Sequence, residues 1–212
     1  MKDDPKALLA DLNTFYQKLL IPFMKIRRDM PFPTEPERRE TDGEHAFTLS
    51  MIVLSLNERM GLNLDVGKLL QYALVHDLVA VHAGDLSVKA VEAEHAKKEE
   101  REFEALKVIK QDFVKIFPWV HTTIEAYEKR EDEESKFVYI IDKYMGALGW
   151  IAGEGKTWAQ YYPEDSGKLY HTVQKRLRAK VKAYDSGNML EIFDVLHNQL
   201  EENREDYFKK SI

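Results

Sequence analysis

Apolar residues return at three- and four-residue intervals along most of the chain, and no useful run alternates with period two. Asp3 and Asp4 followed by Pro5 predict a helix start. Leu8, Leu9, Leu12, Phe15, Tyr16, Leu19 and Leu20 then recur at helical spacing, ending near Pro22 or persisting towards Arg28. The three prolines of Met30-Pro31-Phe32-Pro33-Thr34-Glu35-Pro36 exclude a regular helix and predict a loop. A second helix is expected from Thr41 or Asp42, with Phe47, Leu49, Ile52, Val53, Leu56 and Met60 on its apolar side and Gly61 closing it. Asp65 opens a third helix, which runs into the apolar stretch Leu69 to Val75.

Beyond Gly84 the pattern breaks and then resumes as an acid- and lysine-rich helix from Glu92 to Phe113, with a narrow stripe of Phe103, Leu106, Ile109 and Phe113. Pro118 starts a helix through Tyr127. Phe137, Ile140, Ile141, Tyr144 and Leu148 define a strongly apolar helix from Ser135 to Trp150, ended by Gly153 and Gly155. From Lys156 two or three amphipathic helices are expected, with Gly187 between the last two. The chain reads as all-α, one domain over residues 1–212.

Composition narrows the chemistry. At 212 residues the chain can bury a real core. A net charge of −6 argues against a nucleic-acid polymer as partner. Cysteine is absent, so any metal must be held by nitrogen and oxygen. The acidic N-terminus is unlike a signal peptide, and no stretch approaches membrane-spanning length, so a soluble cytoplasmic protein is expected with no membrane partner.

Val75 to Asp85 reads V-H-D-L-V-A-V-H-A-G-D and puts His76 beside Asp77 at the end of an apolar run. A neutral imidazole next to a carboxylate on a rigid element is a natural half of a divalent-metal site. Neighbouring helical residues point about 100° apart, so both reach one metal only at the element's rim. The other ligands must come from other helices. His45 begins the second helix, and Asp142 interrupts an apolar one, where a carboxylate is costly unless paired, hydrogen-bonded or metal-bound. Alone, the His–Asp pair reads as a structural hydrogen bond and Asp142 as a residue satisfied by Lys143 or by backbone. Together the four supply a His-His-Asp-Asp set with room for water, suited to Mn²⁺, Co²⁺, Fe²⁺, Zn²⁺ or Mg²⁺ in a catalytic site.

The order H…HD…D, written G-E-H45-A-F, V-H76-D77-L-V and I-I-D142-K, resembles the HD-domain metal-dependent phosphohydrolases. The flanks, Arg39 to His45, H-D-x-x-x-x-x-A-G-D and Glu134 to Lys143, are similar to the compact branch containing the 5′-deoxynucleotidases. The resemblance covers roughly residues 38–150 and implies an HD-type helical bundle with an N-terminal helix and additional C-terminal helices. It implies His45, His76, Asp77 and Asp142 as ligands of one metal. It also implies a phosphate-holding arginine before the first histidine, with Arg39 first and Arg38 second in line. Glu37 and Glu40 flank these arginines and offer plain surface pairing instead. Asp85 matches the aspartate that the family associates with the sugar hydroxyl, or else merely caps a helix after Gly84. Lys89 and Lys143 are weaker phosphate candidates.

One position departs from the family. A glutamate that moves the proton normally stands three residues after the HD aspartate, and here that position is Ala80. Loss of such a group costs on the order of 10²–10⁴-fold. A substrate-trapping substitution and a natural member with altered chemistry both fit, and the intact pattern on either side favours the first. His82 lies on the same rim without a family role. His95, His121, His171 and His197 lack ligand spacing and read as surface or packing residues.

The expectation is therefore a phosphohydrolase weakened or inactivated at Ala80, acting on a nucleoside 5′-monophosphate. A (deoxy)nucleoside triphosphate triphosphohydrolase is the alternative within the class. A non-catalytic nucleotide-binding protein, or a helical interaction protein without metal, are alternatives outside it. Trp158, Tyr161 and Tyr162 are left to pack on the core or to form a homodimer interface.

Overall fold

The computed structural model describes residues 4–86, 92–163 and 166–207. The fold is all-α apart from one two-stranded sheet among the described residues. No described helix is long and apolar enough to cross a membrane. The chain falls into two compact units, one of residues 1–27 and 41–135, the other of residues 28–40 and 136–212.

In the first unit, Asp4 caps α1 (Pro5–Phe15) through its side chain, with Pro5 in the first turn; Asp3 lies outside the described residues. The chain stays helical through a π segment (Tyr16–Leu20) and α2 (Ile21–Lys25). Pro22 therefore does not end the helical run. The wider π turns just before it accommodate a residue that has no N–H to give the ladder. Leu19 and Phe23 face the core, but Leu8, Leu9 and Leu12 are exposed, so the leucine repeat predicted the helix and not its burial.

The proline-rich stretch is a hairpin. β1 (Arg27–Phe32) pairs with β2 (Glu35–Thr41), where a loop was expected. A two-stranded sheet consists only of edge strands, and an edge is where proline's missing N–H is tolerated. The backbone N–H of Asp42 donates to the Ile26 carbonyl at 3.2 Å and ties the ends of the hairpin together.

α3 (Asp42–Met60) opens with a full capping box. Thr41 Oγ1 accepts from the Glu44 N–H, and the Glu44 carboxylate accepts from the Thr41 N–H. Gly61 closes the helix in the left-handed region at φ +64°, a conformation glycine adopts without strain. Ala46, Leu49 and Val53 carry the buried stripe, while Phe47 lies about 200° from Leu49 and is exposed. Asp65 caps α4 (Val66–Val75). A turn then leads to α5 (Ala80–Ala83) and on to α6 (Glu92–Phe113) and α7 (Trp119–Lys129). The buried stripe of α6 runs through Ala105, Ile109 and Phe113. Phe103, assigned to that stripe by its size, sits about 200° round the helix from Ala105 and is exposed. Leu19, Phe23, Val75, Ile109, Phe113 and Ile124 are the centre of this unit's core.

α8 (Glu133–Ala152) starts in the first unit and carries the chain into the second. There follow α9 (Lys156–Tyr161), α10 (Ser166–Ala183), α11 (Met189–Glu202) and the short α12 (Arg204–Tyr207), one helical piece more than the upper expectation. Gly187 separates the two long ones, as its position suggested. The second unit packs around aromatic side chains. Trp150 and Trp158 have ring centroids 4.7 Å apart, and Tyr170, Phe193 and His197 surround them. Trp158 and Tyr162 are thus interior to this unit.

Candidate metal centre

His45 occupies the first turn of α3, directly behind the capping box, and its side chain is buried. His76 is the C-cap of α4, where the last backbone carbonyls of a helix lack intrahelical partners. One of those carbonyls fixes its ring. The Nδ1 of His76 lies 2.9 Å from the Ala73 oxygen, which can only accept, so Nδ1 carries the proton and Nε2 presents its lone pair. This is how a ligating histidine is oriented when its second nitrogen is held by a carbonyl.

The lone pair has a counterpart. His76 Nε2 is 3.0 Å from Asp77 Oδ2. A lone pair and a carboxylate oxygen so placed can share a metal cation. The imidazoles of His45 and His76 stand nearby with ring centroids 5.4 Å apart, and one nitrogen of each lies within 4.8 Å of the other. Two buried imidazole nitrogens thus stand together within the first unit, one of them beside the Asp77 carboxylate. They form a nitrogen–oxygen set of the kind that divalent transition metals prefer, and the donor chemistry fits. Tyr127 packs edge-on against the His76 ring at a centroid distance of 6.1 Å and helps hold its plane.

The adjacency problem is solved by the backbone. Helix α4 ends at Val75, so Asp77 lies in a turn and not on the same regular helix as the residues before it. Leaving the helix frees the Asp77 carboxylate from the 100° spacing and brings it onto its neighbour's imidazole.

Asp142 sits on α8 in the second unit, with Lys143 against its Oδ2 oxygen. That is the local ion pair the sequence offers as the plain account of a carboxylate in an apolar helix. Lys143 also lies over the Tyr139 ring, 4.5 Å from its centroid.

Arg38 and Arg39 lie on β2, a strand and not the expected loop. Arg38 Nε donates to Glu35 at 2.9 Å and stacks over Phe32, while Glu40 pairs with Arg28. Arg39 is 3.3 Å from Asp29 and leans towards the Tyr161 ring, and its side chain is 45% exposed. Its guanidinium donates a hydrogen bond to the Tyr161 oxygen, which together with the nearby Asp29 carboxylate raises its pKa above the usual range. Asp85 is exposed and accepts from the Leu86 N–H at 2.8 Å, just after Gly84 at φ +73°. Lys89 lies outside the described residues. Ala80 is the first residue of α5, its N–H bonded to the Asp77 carbonyl at 2.9 Å, so the family's glutamate position begins the turn next to the HD aspartate.

The remaining histidines divide. His82 is exposed, and His171 faces Glu201 at 3.3 Å. His121 and His197 are buried, in packing positions. The side chain of His95 lies outside the description. What the sequence could not supply is the Ala73 carbonyl, because every residue carries one and only the helix end exposes it.

Comparison with solved structures finds whole-chain likenesses. A predicted metal-dependent phosphohydrolase from Magnetospirillum magnetotacticum MS-1 matches with a TM-score of 0.70 and 22% identity, over 96% of this chain and 98% of that one. PH0347 from Pyrococcus horikoshii OT3 matches at 0.53 and 22% identity, over 91% and 98%. At these identities the likeness concerns the fold. Comparison with curated protein sequences finds no match. The family model for the HD domain matches residues 25–185, which take in both histidines, the His–Asp pair and Asp142. By that match the chain belongs to the HD-domain superfamily.

Proposed function

We propose that this protein is a metal-dependent phosphohydrolase of the HD type, acting on nucleoside 5′-monophosphates and holding one divalent metal through His45, His76, Asp77 and Asp142. The observation that carries the reading is the His76–Asp77 pair. An imidazole whose Nδ1 is committed to Ala73 presents a lone pair 3.0 Å from a carboxylate oxygen. The ordered motifs of the family, and the description of a structural relative as a predicted metal-dependent phosphohydrolase, support the same chemistry.

When bound, such a metal lowers the pKa of a coordinated water and polarises a phosphoryl oxygen. The protein's own groups then have separate tasks. The Ala73 carbonyl fixes the His76 tautomer. Asp77 and Asp142 supply the negative charge that retains a divalent ion. Arg39 offers a planar fork of donors to phosphate oxygens, drawn from its exchangeable pairing with Asp29. Asp85 accepts from a sugar hydroxyl. The proton on the leaving nucleoside oxygen has no donor at position 80, because a methyl group neither gives nor takes one. The chain as it stands is therefore a weakened hydrolase.

Ala80 also favours a second reading, a nucleotide-binding protein without turnover. Phosphate release from a panel of nucleotides with Mn²⁺, Co²⁺ or Mg²⁺ separates the two, comparing this chain with Ala80→Glu. Orthophosphate released from monophosphates by the substituted form supports the hydrolase, and tripolyphosphate released from triphosphates would move the substrate assignment. Inertness of both forms would sink the hydrolase reading.

A further inference from the structure

Lys98 is a charged residue on the inward stripe of α6. Ala105 and Ile109, seven and eleven residues on, are buried on that stripe, and Lys98 extends it towards the N-terminal end of the helix. Its side chain is only 28% exposed, which is unusual for a lysine. α6 is pinned to the end of α5 by Arg101, whose Nε donates to the Ala83 carbonyl at 3.2 Å, so this part of the helix lies against α5, the helix between Asp77 and Asp85. Lys98 Nζ lies 3.3 Å from Glu102 Oε1, which engages one of its three N–H donors.

We propose that Lys98 is a phosphate-holding residue of the HD centre, its ammonium directed to the rim that carries Asp77 and Asp85. The inference rests on the hydrolase reading and adds to it a cation within the first unit that no motif marks. Burial works against the charge of Lys98, but Glu102, Asp77 and Asp85 together outweigh it, and the ammonium is held protonated above its usual range. A phosphate dianion approaching Asp77 and Asp85 meets two carboxylates. A fixed positive charge beside them offsets that repulsion, and its two uncommitted N–H groups can donate to phosphate oxygens. A purely structural lysine would run its stem along the apolar surface and leave its head in water.

The test is calorimetric binding of inorganic phosphate and of 2′-deoxyadenosine 5′-monophosphate to the Mn²⁺-loaded chain, with Lys98→Met and Lys98→Arg beside it. Lys98→Met keeps the length of the stem and removes the charge. It should weaken both ligands about tenfold or more, with Mn²⁺ affinity and thermal stability unchanged, and Lys98→Arg should recover most of the loss. Equal phosphate affinity in Lys98→Met and the parent would overturn the assignment. The hydrolase reading would survive that result if Ala80→Glu still releases phosphate. A Mn²⁺-loaded parent that binds neither ligand would overturn the lysine assignment, and if Ala80→Glu is also inert, the hydrolase reading as well.

Discussion

His76 gives its Nδ1 proton to the carbonyl oxygen of Ala73, 2.9 Å away and three residues earlier in the chain. This one hydrogen bond decides what the other ring nitrogen can do. Because the carbonyl belongs to the last turn of α4, where intrahelical partners run out, the end of the helix both frees the acceptor and aims the other ring nitrogen.

Removing the imidazole should remove the metal. His76→Ala and Asp77→Asn are expected to lower Mn²⁺ affinity by about 10²-fold or more, since outer-shell changes alone cost 10–100-fold. Circular dichroism should show the helical content retained, and competition with a chelator reads the affinity.

Restoring the carboxylate at position 80 should restore turnover. Ala80→Glu is expected to raise kcat for phosphate release by about 10²–10⁴-fold, the usual contribution of a positioned acid or base. Metal affinity should change little, because position 80 is outside the proposed ligand set. Single-turnover release of orthophosphate checks this.

The capping box ahead of His45 gives a stability prediction. Thr41→Ala takes away the acceptor for the Glu44 N–H and should cost about 1 kcal/mol in urea unfolding. A loss of Mn²⁺ affinity in the same variant would show that the first turn of α3 positions His45.

His197 sets a pH dependence far in sequence from the proposed metal ligands. Its ring is fully buried, and that burial pushes its pKa down to about 4 from the usual 6.5. The unfolded chain takes up a proton below 6.5, whereas the folded chain does so only near 4. Protons therefore favour unfolding. The stability is present in full above pH 6.5 and falls as the pH drops through the window to 4, by about 3 kcal/mol. Asp132 is held down to about 2, despite partial burial, by hydrogen bonds from Ser135, Tyr72 and Lys68, and it contributes lower, between its usual 3.8 and 2. Urea unfolding at pH 7 and pH 5 should show the difference, and His197→Gln should flatten the upper part.

Much of this was legible from side chains whose chemistry is local. Thr41, Gly61 and Asp65 mark helix ends because each satisfies backbone groups within a few residues, and all three act as caps in the structure. The order of His45, His76-Asp77 and Asp142 pointed to the family because metal ligation demands particular atoms. The hairpin of residues 27–41 was not legible. Its prolines forbid a helix, but the pairing that admits them at an edge is a relation between two segments. The exposure of Leu8, Phe47 and Phe103 escaped for a related reason. Periodicity gives the helix, whereas the face that is buried depends on what lies opposite, and on α6 the small Ala105 marks it better than the large Phe103. Lys98 was lost in the mixed-charge run from Lys97 to Arg101, whose other members are exposed.

The most direct test of the account is the Mn²⁺ stoichiometry of the purified chain, read by electron paramagnetic resonance during titration. The account predicts one tight Mn²⁺ per chain, lost together in His45→Ala, His76→Ala, Asp77→Asn and Asp142→Asn, with each variant still helical. A parent that binds no divalent ion, or one that keeps its affinity in all four variants, would contradict it.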